Sequence, residues 1–148
     1  MRLTSDREYR FAVPPEALWQ VLAATDEYRQ WWPWLRDFQA VGLVVGDDWR
    51  CVVRPPLPYT LRFALVLDEV VAPSLVRARV HGDIAGTAAL TIAPTADGVR
   101  LRLVSDLTPS SRAFGLLSSV LRPLVVRAHD LVLDNGAAQF ADRAITGP

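Results

Sequence analysis

The chain has 148 residues, 51% of them hydrophobic, with 16 basic side chains balancing 16 acidic ones. That length suits one domain, and that much apolar matter is too great for a disordered chain. Zero net charge builds no overall field for nucleic acid or an anionic membrane, so neither is expected as a partner.

All the basic residues are arginines; there is no lysine. This removes Schiff-base chemistry, which needs a lysine amine. The arginines read either as anchors for anionic ligands or as plain compositional bias. Cys51 is the one cysteine, so no internal disulfide forms. With two histidines beside it, no metal site of ordinary ligand spacing is expected, and no cofactor. Phosphate-cradling glycine loops and the Gly-x-Ser-x-Gly elbow are missing too. The first ten residues carry Arg2, Asp6, Arg7, Glu8 and Arg10 rather than an apolar leader. No run approaches the ~18 apolar residues of a membrane span. A cytoplasmic protein with no stable membrane insertion is expected, monomeric or homodimeric.

The first segment, Leu3 to Val13, reads as a strand with Tyr9, Phe11 and Val13 on one side and Glu8 and Arg10 on the other. Pro14-Pro15-Glu16 opens a helix carrying Leu18, Trp19, Val21 and Leu22. A short helical turn follows over Asp26 to Gln30, stopped by Pro33. The pattern then changes to period two. Phe38 to Val45 is a strand, Gly46-Asp47-Asp48 a turn, and Trp49, Cys51 and Val53 alternate with Arg50, Val52 and Arg54. Pro55-Pro56-Leu57-Pro58 belongs to a loop or a sheet edge. From Tyr59 onward Leu61, Phe63, Leu65 and Leu67 point one way and Arg62, Ala64, Val66 and Asp68 the other. After a turn at Pro73-Ser74, Val76, Ala78 and Val80 alternate with Arg77, Arg79 and His81. Gly82 to Gly86 turns, Thr87 to Ala93 is a strand, and Thr95 to Gly98 turns again. Val99, Leu101, Leu103 and Ser105 complete the series against Arg100, Arg102, Val104 and Asp106.

Seven strands joined by short turns predict an antiparallel meander with one apolar and one arginine-rich face. The apolar face needs a cover, and only the segment from Ser110 to Ala144 remains to supply it. Ser110 or Ser111 caps a first helical piece, and Arg122-Pro123 marks a kink or restart. At about 100° per residue, Arg127, Asp130, Asp134 and Ala141 share one sector, with Val125, His129, Val132 and Gly136 opposite. The expected fold is therefore α+β, a seven-stranded antiparallel sheet wrapped around a long C-terminal helix.

This order of elements resembles the helix-grip fold of the START, birch-pollen-allergen and polyketide-cyclase superfamily. Local strings resemble its bacterial polyketide cyclase/dehydrase-like branch: Pro14-Pro15-Glu16-Ala17-Leu18-Trp19, Trp31-Trp32-Pro33-Trp34, Leu57-Pro58-Tyr59-Thr60-Leu61-Arg62-Phe63, Gly82-Asp83-Ile84-Ala85-Gly86, and His129-Asp130 with Gly136. Ser105 and Arg127-Ala128 depart from it, standing where that branch often has Trp and Trp-Asn. The resemblance implies a cavity for a hydrophobic small molecule (a lipid, a polyketide or another ring-containing metabolite). The alternative it carries is a cofactor-independent polyketide aromatase/cyclase or dehydrase.

The expected pocket residues are Trp32, Trp34, Tyr59, Leu61, Phe63, Leu103, Ser105, Val125, His129, Val132 and Gly136. His129 reads as a general base, as a hydrogen-bond anchor for a ligand, or as a core histidine satisfied by a neighbour. Gly136, on the same face, is expected to leave space beside the imidazole. Ser105 is expected to make the pocket wider or wetter. As an anchor, His129 predicts that His129→Ala keeps the fold and weakens binding by about 1–3 kcal/mol. Asp83 or Asp106 is a possible carboxylate partner for it. The tryptophans read equally as a cavity gate or as packing.

Overall fold

The computed structural model describes residues 2–56 and 59–145. The elements run β1 (Leu3–Phe11), α1 (Pro15–Ala23), a 3-10 turn (Thr25–Glu27), α2 (Tyr28–Trp31), β2 (Leu35–Gln39), β3 (Asp48–Val53), β4 (Leu61–Val71) and β5 (Leu75–Gly82). They continue with β6 (Ile84–Thr95), β7 (Gly98–Pro109), α3 (Arg112–Val120), α4 (Arg122–Phe140) and a π-helical turn (Ala141–Ile145). Leu57 and Pro58, expected in a loop or at an edge, lie outside the described residues.

All seven strands join one antiparallel sheet in the order β1-β7-β6-β5-β4-β3-β2. The period-two reading holds for its middle. Trp49, Cys51 and Val53 are buried on β3, Ala78 and Val80 on β5, and Val99, Leu101 and Ser105 on β7. The C-terminal segment is helical and restarts where expected, with Pro123 in the first turn of α4. Ser111 caps α3 by accepting a hydrogen bond from the Phe114 amide. This is the α+β helix-grip fold.

Three expectations need correction. The strand expected over Phe38 to Val45 is instead Leu35–Gln39. Beyond it the backbone finds no ladder: the Asp47 carboxylate accepts from the Val41 and Gly42 amides, and the Trp49 indole donates to the Gly42 carbonyl. The valine-rich string is thus a loop whose Val41 is 83% exposed.

The turn expected over Gly82 to Gly86 shrinks to Asp83 alone, and both glycines lie within strands. Asp83 does not bond its own turn. Its carboxylate accepts from the Arg62 amide at 2.8 Å, its amide donates to the Arg62 carbonyl, and its carbonyl receives the Ser110 and Ser111 amides. One residue thereby ties β4 to the start of α3. Ala141, placed in the solvent sector by helical phase, packs partly against the core because the helix widens into its π turn there.

The interior forms two clusters. One gathers Leu18, Trp31, Leu67, Val99 and Phe140; the other gathers Leu3, Val80, Ile84, Leu107, Phe114 and Val125. Side chains such as Leu18 and Phe114, at most 1% exposed, contribute about 1.5–3 kcal/mol each by burial. α4 spans both clusters, Val125 serving the second and Phe140 the first.

Candidate ligand cavity

A cavity of about 360 Å³ lies between the inner face of the sheet and the second half of α4. The sheet supplies Phe63, Leu65, Ala88, Leu90, Leu101 and Leu103; the helix supplies Val132, Leu133, Gly136, Ala137 and Phe140. Tyr28, Trp32, Trp34, Phe38 and Trp49 close one flank. Tyr28 stacks on Phe38 with ring centroids 5.2 Å apart, and Trp32 stacks on Trp34 at 5.7 Å. Offset ring pairs of this kind add about 0.5–1.5 kcal/mol each beyond area burial.

The polar atoms on these walls are bonded to the protein. Trp32 Nε1 donates to the Gly136 carbonyl at 2.8 Å and Trp34 Nε1 to Gln139 Oε1 at 2.9 Å. The Tyr28 hydroxyl donates to the Leu22 carbonyl, and Tyr9 to Asp134 Oδ1 at 3.1 Å. Among the described residues no carboxylate, imidazole or guanidinium lines the cavity. Its titratable groups are held neutral at pH 7. Burial pushes the Tyr9 hydroxyl up to about 12, aided by Asp134, and the Cys51 thiol up to about 12, aided by Asp48. Burial alone raises Tyr28.

Of the residues singled out in the sequence, Trp32, Trp34, Phe63, Leu103, Val132 and Gly136 line this cavity. Tyr59, Leu61, Ser105, Val125 and His129 do not. Tyr59 stacks on Phe114 at 5.6 Å, and Leu61 packs between the two clusters. Val125 is buried in the second cluster. The Ser105 hydroxyl bonds Ser5 Oγ, its direct partner across β1 and β7, at 2.6 Å, so it does not wet the cavity. Gly136 does not open space beside His129 either. A Cβ there would lie 3.3 Å from Trp34 Cζ2 and 3.7 Å from Trp32 Nε1, so the glycine lets both indoles rest against the helix backbone.

His129 sits on α4 between the part that faces the second cluster and the part that roofs the cavity. Its carboxylate neighbour is Asp130, with Nδ1 3.6 Å from Oδ1. Asp83 and Asp106 are not that partner: the first is engaged by β4, and Arg2 forms a bidentate pair with the second. Asp130 and Asp134, assigned to open solvent by helical phase, pair with Arg7 of β1 at 3.0 and 4.0 Å. Arg7 shares the inner-face parity of Ser5 and Tyr9, opposite Leu103.

Burial lowers the pKa of His129 below its ordinary value of 6.5, with Asp130 opposing and Arg7 assisting. The side chain is 17% exposed. Because the folded pKa is depressed, the unfolded chain takes up the proton first, and stability falls as pH drops through 6.5 toward the folded value. The slope reaches at most about 1.4 kcal/mol per pH unit for this one proton. Asp6 and Asp106, both lowered mainly by hydrogen bonds from arginine, lose their contribution only at more acid pH, around and below 3.8. Urea midpoints between pH 7 and 5 should therefore fall for the wild type and stay flatter for His129→Gln. Ligand binding at pH 7 should be unchanged in that variant.

A sheet folded on one long helix around an apolar cavity defines the helix-grip class of folds. A family profile described as polyketide cyclase/dehydrase and lipid transport matches residues 2–144, and the chain belongs to that family. No curated protein matches the chain. Solved structures share the fold at low identity. The di-domain aromatase/cyclase StfQ from the steffimycin biosynthetic pathway is 14% identical with a TM-score of 0.65; the match covers 97% of this chain and 52% of StfQ. Norcoclaurine synthase from Thalictrum flavum is 11% identical with a TM-score of 0.61, over 95% of this chain and 87% of that one. An uncharacterised protein from Rhizobium leguminosarum is 13% identical with a TM-score of 0.67, over 94% of each chain.

Proposed function

We propose that the protein binds an uncharged hydrophobic small molecule, a lipid, polyketide or other ring-containing metabolite, in the cavity beneath α4. The observation that carries this reading is a space of about 360 Å³ whose walls present carbon because their polar atoms already hold protein partners. Pockets for small molecules run from ~300 to 1,000 Å³ and are mainly apolar. The aromatic flank favours flat rings over a flexible chain, since rings stack at little entropic cost. Cyclase or dehydrase chemistry in the same space has the family and the shared fold in its favour. It needs an acid or base that titrates near neutrality, whereas the wall's hydroxyls and thiol are held well above it.

The test is a fluorescence titration with a hydrophobic dye, read by energy transfer from the tryptophans. Ala88 faces the cavity on β6, opposite Ala78 and Ser105. Ala88→Leu should fill part of the space, keep or raise the melting temperature, and weaken dye binding at least ~10-fold. Wild-type protein that shows no saturable binding, or a variant that binds equally well, would sink the reading.

A further inference from the structure

We propose that the outward face of α3 and the first half of α4 docks the protein peripherally on an anionic lipid bilayer. Leu116, Val120 and Leu124 are 70%, 72% and 54% exposed. They are not scattered. Arg112, Leu116 and Val120 follow one another at i+4 along α3, and Leu124, Arg127 and Leu131 share one flank of α4. The Leu121 amide bonds the Leu117 carbonyl at 2.8 Å and the Val125 amide bonds the Leu121 carbonyl at 2.9 Å, so the two helices meet directly at Leu121. The opposite side of the same segment is anchored in the core through Phe114, Ser118, Val125 and Ala128. Core packing therefore fixes the apolar ridge outward.

Charge selects the occupant. From Ser110 to His129 the chain carries Arg112, Arg122 and Arg127 and no acidic residue, and the carboxylates that follow beside Arg127 and Leu131, Asp130 and Asp134, are paired with Arg7 of β1. Among the described residues none of the three makes a side-chain hydrogen bond or ion pair. Arg2, Arg7, Arg77, Arg79 and Arg102, by contrast, are paired with carboxylates elsewhere. The zero net charge of the chain thus conceals a cationic, apolar ridge. Such a face lies in the headgroup region, leucines in the acyl boundary and arginines on anionic headgroups. A second copy meeting it about a two-fold axis would bring these arginines near their own images. No helix among the described residues is long and apolar enough to cross a membrane, which agrees with a surface contact. The inference does not rest on the ligand reading of the cavity.

Vesicle co-sedimentation tests it, with equimolar phosphatidylcholine and phosphatidylglycerol against phosphatidylcholine alone at low and high salt. The wild type should bind the anionic vesicles and be released by salt. Replacing all three of Arg112, Arg122 and Arg127 with Gln should weaken binding about 100-fold, from roughly fivefold per charge. Leu116→Asp with Val120→Asp should weaken it at least ~10-fold. Arg77→Gln with Arg79→Gln, on the outer sheet face, should change nothing. Unaltered dye binding and melting temperature verify that the variants are folded. Wild-type protein that ignores anionic vesicles overturns the proposal, as does equal loss in the sheet-face variant. So does a dimer in sedimentation velocity that Leu116→Asp with Val120→Asp dissolves.

Discussion

Gly86→Ala is expected to cost about 3–5 kcal/mol or to prevent folding outright, the range of a substitution that collides with backbone. Gly86 has a φ of +149°, and an added Cβ would lie 1.9 Å from the Asp106 carbonyl oxygen and 3.1 Å from Leu107 Cα. Those atoms belong to the adjacent strand, β7, whose register pairs Gly86 with Leu107. No side chain can swing aside to make room; only a parting of two central strands would. Gly115, in α3, has nothing within 4 Å of its would-be Cβ. Gly115→Ala should instead raise stability by up to about 1 kcal/mol through helix propensity. Urea unfolding of the two variants side by side gives the comparison. A Gly86→Ala protein within about 1 kcal/mol of wild type would mean that the β6–β7 ladder yields where its geometry says it cannot.

Trp32→Ala should cost about 3 kcal/mol, the lower part of the range for aromatic-to-alanine changes because the indole is only partly buried. The ring is stacked on Trp34 and Phe140 and meets Tyr28 and Trp31 edge-on, at centroid distances between 5.0 and 6.2 Å. Its Nε1 also holds the Gly136 carbonyl. Removing it unpins α4 and widens the cavity at once, so dye binding should weaken together with the melting temperature. Trp32→Phe keeps a ring and loses the donor, and should cost about 1 kcal/mol. If Trp32→Ala melts like the wild type, the indole is a free gate and not a support.

The sheet was legible because alternation over Leu61 to Leu67 and Val99 to Ser105 reports a half-buried strand directly. The break at Pro123 and the cap at Ser111 were legible for equally local reasons. The string from Phe38 to Val45 misled because its valines have strand propensity, while the carboxylate that captures its amides sits at Asp47, outside the apolar pattern. The cavity wall was half legible. Phe140 continues the i+4 spacing from Gly136 and could have been found by extending the stripe. Tyr28 could not, since α2 has four residues and no readable phase. His129 is the instructive case, lying outside the cavity lining. Helical phase gives a residue's face, but α4 serves two clusters along its length, and position along the axis decides which one a side chain meets. Arg7 shows the converse: its acidic partners lie more than 120 positions away, beyond the reach of any local pattern.

The sheet stays open, with β1 and β2 as its two free borders. α4 is fastened near both, through Arg7 and Tyr9 on β1 and through Trp32 and Trp34 just ahead of β2. Lifting the second half of that helix would therefore uncover the cavity and loosen both borders in a single event. On the ligand-binding reading proposed above, guest exchange and the exposure of sticky strand edges would then share that motion. A tightly held guest should lengthen the shelf life of the protein in proportion to how much it suppresses that motion.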